Sequence, residues 1–492
     1  MSASLLLAVA VLSPPQASVR ADTLVVGTLT EPVSLEPHQA TDLVGSEIVA
    51  NVCETLVRMR PGSLRPEGVL ATTWATLDQR SWTLTLREGV RFHDGTLFDA
   101  DAVVGNVEHL VRERTFSGRA ERIGPYVVQI TLERPNAALL STLSQPFFSI
   151  QSPGRLEGPG SELPVGTGPF RLVRAVPGRV TLEAFEDCWE GPPRLHRLTF
   201  RRFPSTDALV EALVSGEADV SRAIDQGRVE ELRTLPEITL DSQTGLNLGY
   251  LALNNERPPF DHSGVRLAVA RALDRPRIVA AILSGHGAPA DSPLPPALAG
   301  PDLRSRQLLL DRDKARRLLG RAGLEDGFAT TLLVSRAPRA YLPEPLLLAQ
   351  LVRDDLAEIG VRVRIRETAT WAEQVGLTAR GEFDMALLGW QADTLDPNDF
   401  LTVLLDSGSI GTTNRSRYRS PEMDRLLKAA RMESAPRTRL ALYRRAQSLF
   451  EADMPFVPLY YASVFTARRR DVEGLVIGPT GLLRYDKSWK RE

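Results

Sequence analysis

Apolar and polar positions alternate along this chain with two distinct periods, and the period changes often. Thr23 to Leu29 is a short β-branched and apolar run, and Trp82, Leu84 and Leu86 recur every second residue. Both patterns predict strands, as do Tyr126–Glu133 and "FRLVRAV". Asp42 to Arg58 instead has helical spacing, with Ile48, Val49, Val52, Leu56 and Val57 on one side. Ser205 to Asp219 opens on a polar cap and stops at Gly216, which predicts a second helix. The order is plainer in the second half. A strand over Asn247–Asn255 precedes helices over Asp311–Gly320 and Pro345–Ile359, the latter ended by Gly360. Val361–Glu367 alternates with one wet face, Phe383–Trp390 is a buried strand, and helices over Pro421–Glu433 and Pro436–Ala452 lead to the strand "PFVPLYYASVFTA". Strands and helices in this alternation predict an α/β fold with helices packed on a sheet.

At 492 residues the chain is too long for one ordinary core, so it divides into domains. "SLLLAVAVL" (Ser4–Leu12) is too short to span a bilayer and is followed by Pro14, Pro15 and small residues up to Ala21. That predicts a signal peptide over 1–21, with Val19 and Ala21 at its cleavage site. No cysteine follows it, so no lipid anchor is expected, and no other run reaches transmembrane length. The net charge of -2 carries no basic face for nucleic acid. The cations are nearly all arginine, the lysines being Lys314, Lys428, Lys487 and Lys490. Two cysteines, Cys53 and Cys188, make neither a disulfide framework nor a zinc site; a bridge and two buried thiols both remain open.

"GVRFHDGTLFDADAVV" (Gly89–Val104) holds a histidine and three aspartates. His93-Asp94-Gly95 is turn chemistry, and Asp99 followed by Asp101 suits a helix start. Each polar residue thus has a structural task, so neither metal nor catalysis is expected there. No Walker loop, zincin helix or nucleophile elbow occurs, and His38, His93, His109, His196, His262 and His286 are scattered. The expectation is a binding protein, not an enzyme, with no cofactor. A secreted hydrolase is the weaker alternative, because a triad need not be sequential.

Several blocks, in order, carry a resemblance. They are Ser34-Leu35-Glu36-Pro37, "WTLTLREGVRFHDGTLFDADAVV", "PVGTGPF", "WEGPP" (Trp189–Pro193), "LALNNERPPFDHSGVRLAVARALDR", "GEFDMALLGWQADTLDPNDFL" and "EADMPFVPLYY". Through them nearly the whole chain after residue 21 resembles the family 5 solute-binding proteins of bacterial ABC importers, the oligopeptide, dipeptide and nickel class. The resemblance implies a two-lobed periplasmic binding protein with an extra subdomain in lobe I and a ligand cleft between the lobes. Lobe I would comprise 22–48, 165–255 and 466–492, the extra subdomain 49–164, and lobe II 256–465. The chain would cross to lobe II near Asn254–Pro259 and return near Tyr461–Arg468. A monomer is implied. It would be periplasmic, not membrane-inserted once the signal is removed, and would pass a peptide or other small solute to an ABC permease and ATPase. A ligand sensor or chaperone-like protein on the same scaffold is the alternative without a transport partner.

A peptide offers an ammonium and a carboxylate, so its cleft needs one acid and one guanidinium. Asp393 matches the position where peptide-binding relatives place the acid; its other use is capping the helix near Pro397. Trp390 either walls the cleft or packs. Arg339 lies near the carboxylate-binding arginine of dipeptide-type relatives, with Arg336 as its rival. An opine, a metal chelate, glutathione or a sugar are other candidate solutes.

Overall fold

A computed structural model describes residues 22–60, 65–156, 163–339, 341–392 and 394–491. The expected signal peptide over 1–21 and Asp393 both lie outside the described residues. Among the described residues no helix is long and apolar enough to cross a membrane.

A twelve-stranded mixed sheet runs through the molecule. One end is the parallel pair Arg362–Thr368 and Ala329–Ser335, followed by Met385–Gln391, which also runs parallel to Ala329–Ser335. Asn247–Leu253 then pairs antiparallel with Met385–Gln391 on one side and Phe456–Arg469 on the other. Every residue of Asn247–Leu253 is buried, as expected for a central strand covered on both faces. The far end holds Thr23–Thr28 between Val220–Ser221 and Arg197–Arg202, and closes on the antiparallel strands Arg179–Ala184 and Phe170–Val176.

Apolar side chains collect in separate cores. One gathers Leu24, Val26, Ile48 and Val49 with Phe170, Phe200 and Tyr485, next to a smaller group around Leu209, Leu213 and Ile238. A second, from Leu56 to Ile150, fills the four-stranded antiparallel sheet Ala71–Thr76, Ser81–Leu86, Val127–Leu132, Gly118–Gly124 and its covering helix. The third and largest runs from Leu246 to Ala462 and also takes in Met59. The 14-residue strand Phe456–Arg469 serves both sides: Phe456 to Ala462 belong to the largest core and Ala467 to the group around Leu209.

The chain passes from the group around Leu209 to the largest core at Gly245, between Ile238–Thr244 and Asn247–Leu253. There Asn247 donates to the Ala462 carbonyl at 3.0 Å and accepts the Ala462 N–H at 2.7 Å. Near Asn254–Pro259, Leu253 and Phe260 lie in one core. Asn254 in that stretch is buried and donates to the carbonyls of Gly381 (3.1 Å) and Phe383 (2.8 Å).

Helix α1 covers Leu43–Val52, capped by Asp42, which accepts the Gly45 N–H at 2.9 Å. It stops well short of Arg58, and Val57–Met59 is a strand. The sequence pattern continues because Leu56 and Val57 are buried in the adjoining core. The helix ends because the Val52 carbonyl accepts Gly168 N–H at 3.0 Å from the loop "PVGTGPF". That loop presses so close that a Cβ at Gly166 would stand 2.2 Å from the Val52 oxygen. Helix α2 covers Ala100–Arg112, with Asp99 accepting the Ala102 N–H at 3.1 Å.

Candidate functional site

A cavity of about 570 Å³ opens where three parts of the molecule meet. The α1 entry contributes Ala40, Thr41 and Ser46; the segment after the four-stranded sheet contributes Gln145, Pro146 and Phe147; the end of Met385–Gln391 contributes Gln391, Ala392 and Thr394. A second cavity of about 300 Å³ shares Gln145, Pro146, Thr480 and Leu482 with it, so the two form one cleft. Met59 and Leu395 both line the second chamber, and Leu395 N–H donates to Ser141 Oγ at 2.8 Å. The cleft therefore lies between the largest core and the two N-terminal ones.

Sequence reasoning did not find the charged wall of that second chamber. Glu54 follows directly on the end of α1. Its Oε2 accepts Trp189 Nε1–H at 2.7 Å and the Thr167 hydroxyl at 2.8 Å, while its Oε1 is buried without a partner. Burial pushes its carboxyl up to about 7 despite those two donors. Glu190 stands between Arg58 (3.3 Å) and Arg484 (3.2 Å), and Arg87 lies 4.0 Å over the Trp189 ring. "WEGPP" thus supplies one donor and one acid that back the wall residues Glu54, Arg58 and Arg484. The available signal was an acid at the end of an apolar helix, which the helical reading of Asp42–Arg58 hid.

The two cysteines are buried free thiols, and Cys53 lines the second chamber. His93 is a packed turn residue: its Nε2 meets the Gly168 carbonyl at 2.9 Å and its ring lies edge-on to Phe185. Asp94 accepts the Ser152 hydroxyl at 2.6 Å and the Thr96 N–H at 3.0 Å.

Trp390 sits near the end of its strand, opposite Leu248. It is half-buried against the largest core, and its Nε1–H is buried without a partner. Tyr341 covers the preceding residue: a Cβ at Gly389 would lie 2.2 Å from Tyr341 Cδ2, and Tyr460 donates its hydroxyl to the Tyr341 carbonyl at 3.0 Å. Arg339 closes a tight turn with Leu342 and lies exposed, 5.0 Å over the Trp371 ring. The ring contact of Tyr341 with Trp371 ties this turn to the start of the helix Trp371–Arg380. Among the described residues Arg339 has no carboxylate partner, whereas Arg336 is paired with Glu367. The helix Asn398–Leu405 already has its acid, because Asp396 accepts the Asn398 N–H at 2.8 Å. Asp396 is in turn gripped by Arg439 at 2.7 and 2.9 Å.

Comparison with known proteins matches this architecture. The sequence profile of the bacterial extracellular solute-binding proteins, family 5 Middle, covers residues 65–412. Heme-binding protein A of Haemophilus influenzae is 31% identical over 94% of this chain and 91% of its own. Di/tripeptide-binding protein 2 of Pseudomonas aeruginosa is 31% identical over 96% of both. The structure of HbpA2 from Haemophilus parasuis superposes with a TM-score of 0.89 at 28% identity, covering 96% of this chain and all of that one. A dipeptide-binding protein from Pseudoalteromonas, solved with Met-Leu, gives 0.77 at 28% identity over 95% of this chain and 100% of its own. Two lobes with a cleft between them, built on this sheet order, make the chain a solute-binding receptor, and it belongs to family 5 of the bacterial extracellular solute-binding proteins.

Proposed function

We propose that this receptor captures a peptide or peptide-like solute in the periplasm and passes it, chemically intact, to an ABC permease and ATPase. Asp393 would take the solute's ammonium, Arg339 its carboxylate, and Trp390 would wall the cleft. The observation that carries the reading is the pair of cavity walls on either side of Asp393: Ala392 and Thr394 both line the cleft. Two others agree with it. Asp396 already serves the helix start, which removes the competing use of Asp393. Arg336 is paired with Glu367, which of these two candidates favours Arg339.

A division into lobes by core membership would give 22–53, 165–245 and 464–492 as lobe I, 54–164 as the extra subdomain, and 246–463 as lobe II. Strand Phe456–Arg469 and the Asn247–Ala462 clasp would form the hinge. A solute that touches both lobes only when they approach shifts the population toward the closed form.

Thermal shift with free dipeptides, their N-acetyl and C-amide forms, glutathione, haem, opines and nickel chelates tests the assignment. At 100-fold excess over Kd the bound solute adds about 2.7 kcal/mol. Asp393→Ala is expected to lose at least roughly thirtyfold in affinity for free dipeptides but not for N-acetylated ones. Arg339→Ala should lose the free carboxylate and spare the amide. Full retention of the free-dipeptide shift by Asp393→Ala would sink the ammonium site.

A further inference from the structure

Away from the charged cleft wall, Glu36, His38 and His109 converge at the seam between the turn Pro37–Gln39 and the last turn of α2. One ligand atom from each lies within 4.8 Å of the others. His38 Nδ1 and Glu36 Oε1 are 3.6 Å apart, too far for a hydrogen bond. That spacing is close to the roughly 3.4 Å separating two ligands of a tetrahedral zinc. The His38 and His109 rings stand 5.1 Å apart between centroids, tilted by 36°.

We propose that Glu36, His38 and His109 form a binding site for a borderline divalent cation, of which zinc is the type, clipping the Pro37–Gln39 turn to α2. Two imidazole nitrogens and one carboxylate oxygen are the donor set such ions prefer, and three protein ligands leave a fourth position for water.

Three independent features support a ligand here and not a plain packed histidine. The His38 side chain is only 1% exposed, yet its Nδ1 has no hydrogen-bond partner. Its Nε2 lies 3.1 Å from the Ser149 carbonyl. A carbonyl there requires Nε2 to carry the proton, which leaves a lone pair on Nδ1 aimed at Glu36. Donation of the far ring N–H to a backbone carbonyl is the usual outer support of a metal-bound histidine. Glu36 is supported likewise, accepting Gln151 Nε2–H at 2.6 Å. Gln151 is itself locked to α2, since its N–H meets Asn106 Oδ1 at 3.0 Å and its carbonyl accepts Asn106 Nδ2–H at 2.9 Å. The outer supports thus tie together the two elements that supply the ligands.

The site borders the cleft without lying in it. The edge of Phe147, which lines the larger cavity, faces the His38 ring at 6.4 Å between centroids. A bound cation would stiffen that wall by fixing the turn behind it.

Tag-free full-length protein, stripped with a chelator, is titrated with zinc chloride by calorimetry and examined by native mass spectrometry at neutral pH. One zinc per chain is expected, reversed by chelator, with a raised thermal midpoint. His109→Ala and Glu36→Gln change half-exposed side chains, and circular dichroism confirms that each is folded. Each should lower zinc affinity by more than the roughly 10–100-fold that loss of an outer support costs. Free dipeptide, the probe of the cleft, should shift the thermal midpoint of both variants as it does that of the wild type, which separates this site from the peptide assignment. Absence of a 1:1 zinc complex in the wild type, or wild-type affinity in either folded variant, overturns the proposal.

Discussion

Trp189 Nε1–H donates to Glu54 Oε2 at 2.7 Å, in a pocket that leaves the other carboxylate oxygen buried and unpartnered. An indole N–H and a hydroxyl are neutral donors, too weak to offset the loss of water around a full charge. The carboxyl therefore holds its proton up to about 7.

Glu54 consequently makes stability depend on pH. The folded state keeps a proton that the unfolded chain gives up near 4.5, so this stabilisation is complete below that value and is lost as pH rises through about 7. Glu54→Gln keeps the two accepted bonds and cannot ionise. It should be more stable than the wild type at pH 8, by up to about 3 kcal/mol, and nearly equal to it at pH 4.5. Thermal midpoints across that range check it; a constant difference at all pH values would show that Glu54 does not titrate in the fold.

His93 works in the opposite sense. Burial lowers its imidazole to about 4, although the Gly168 carbonyl opposes the shift. Unfolded imidazole takes its proton near 6.5, so the stabilisation is present above that value and drains away as pH falls through 4. His93→Gln can still donate to Gly168. Its stability should fall less steeply than the wild type's between pH 6.5 and 4, by as much as about 3 kcal/mol over the interval. Parallel acid limbs in urea unfolding would contradict this.

Gly166 is required by contact, not by conformation. A methyl there meets Val52 O at 2.2 Å and Cys53 Cα at 2.5 Å, both backbone atoms that cannot step aside. Gly166→Ala should cost roughly 1–3 kcal/mol and lower the thermal midpoint by several degrees. Gly154→Ala, where a Cβ meets nothing within 4 Å, is the matched control and should be close to neutral.

The sequence carried the elements well where one period ran uninterrupted. The alternation of Trp82, Leu84 and Leu86 became a strand with those three residues buried. Ser205 and Gly216 bound their helix as read, the serine capping Ala208 N–H and the glycine turning at φ +84°. It misled where two elements shared one apolar pattern. Leu56 and Val57 continue the spacing of α1 but are buried in a neighbouring core, and only the Gly168 N–H on the Val52 carbonyl shows where the helix stops. Asn254 ends a polar stretch, yet it is buried and its amide serves two carbonyls more than a hundred residues away along the chain.

By itself the sequence determined the α/β class, the caps, the turn at His93-Asp94-Gly95 and the family, because these rest on local periodicity, on single-residue backbone preferences and on the order of short blocks. Tertiary structure decided which residues meet. Glu54 with Trp189, His38 with His109, and Tyr341 with Gly389 are each far apart along the chain. Their chemistry comes from burial and from distances of a few ångströms, which no one-dimensional pattern encodes.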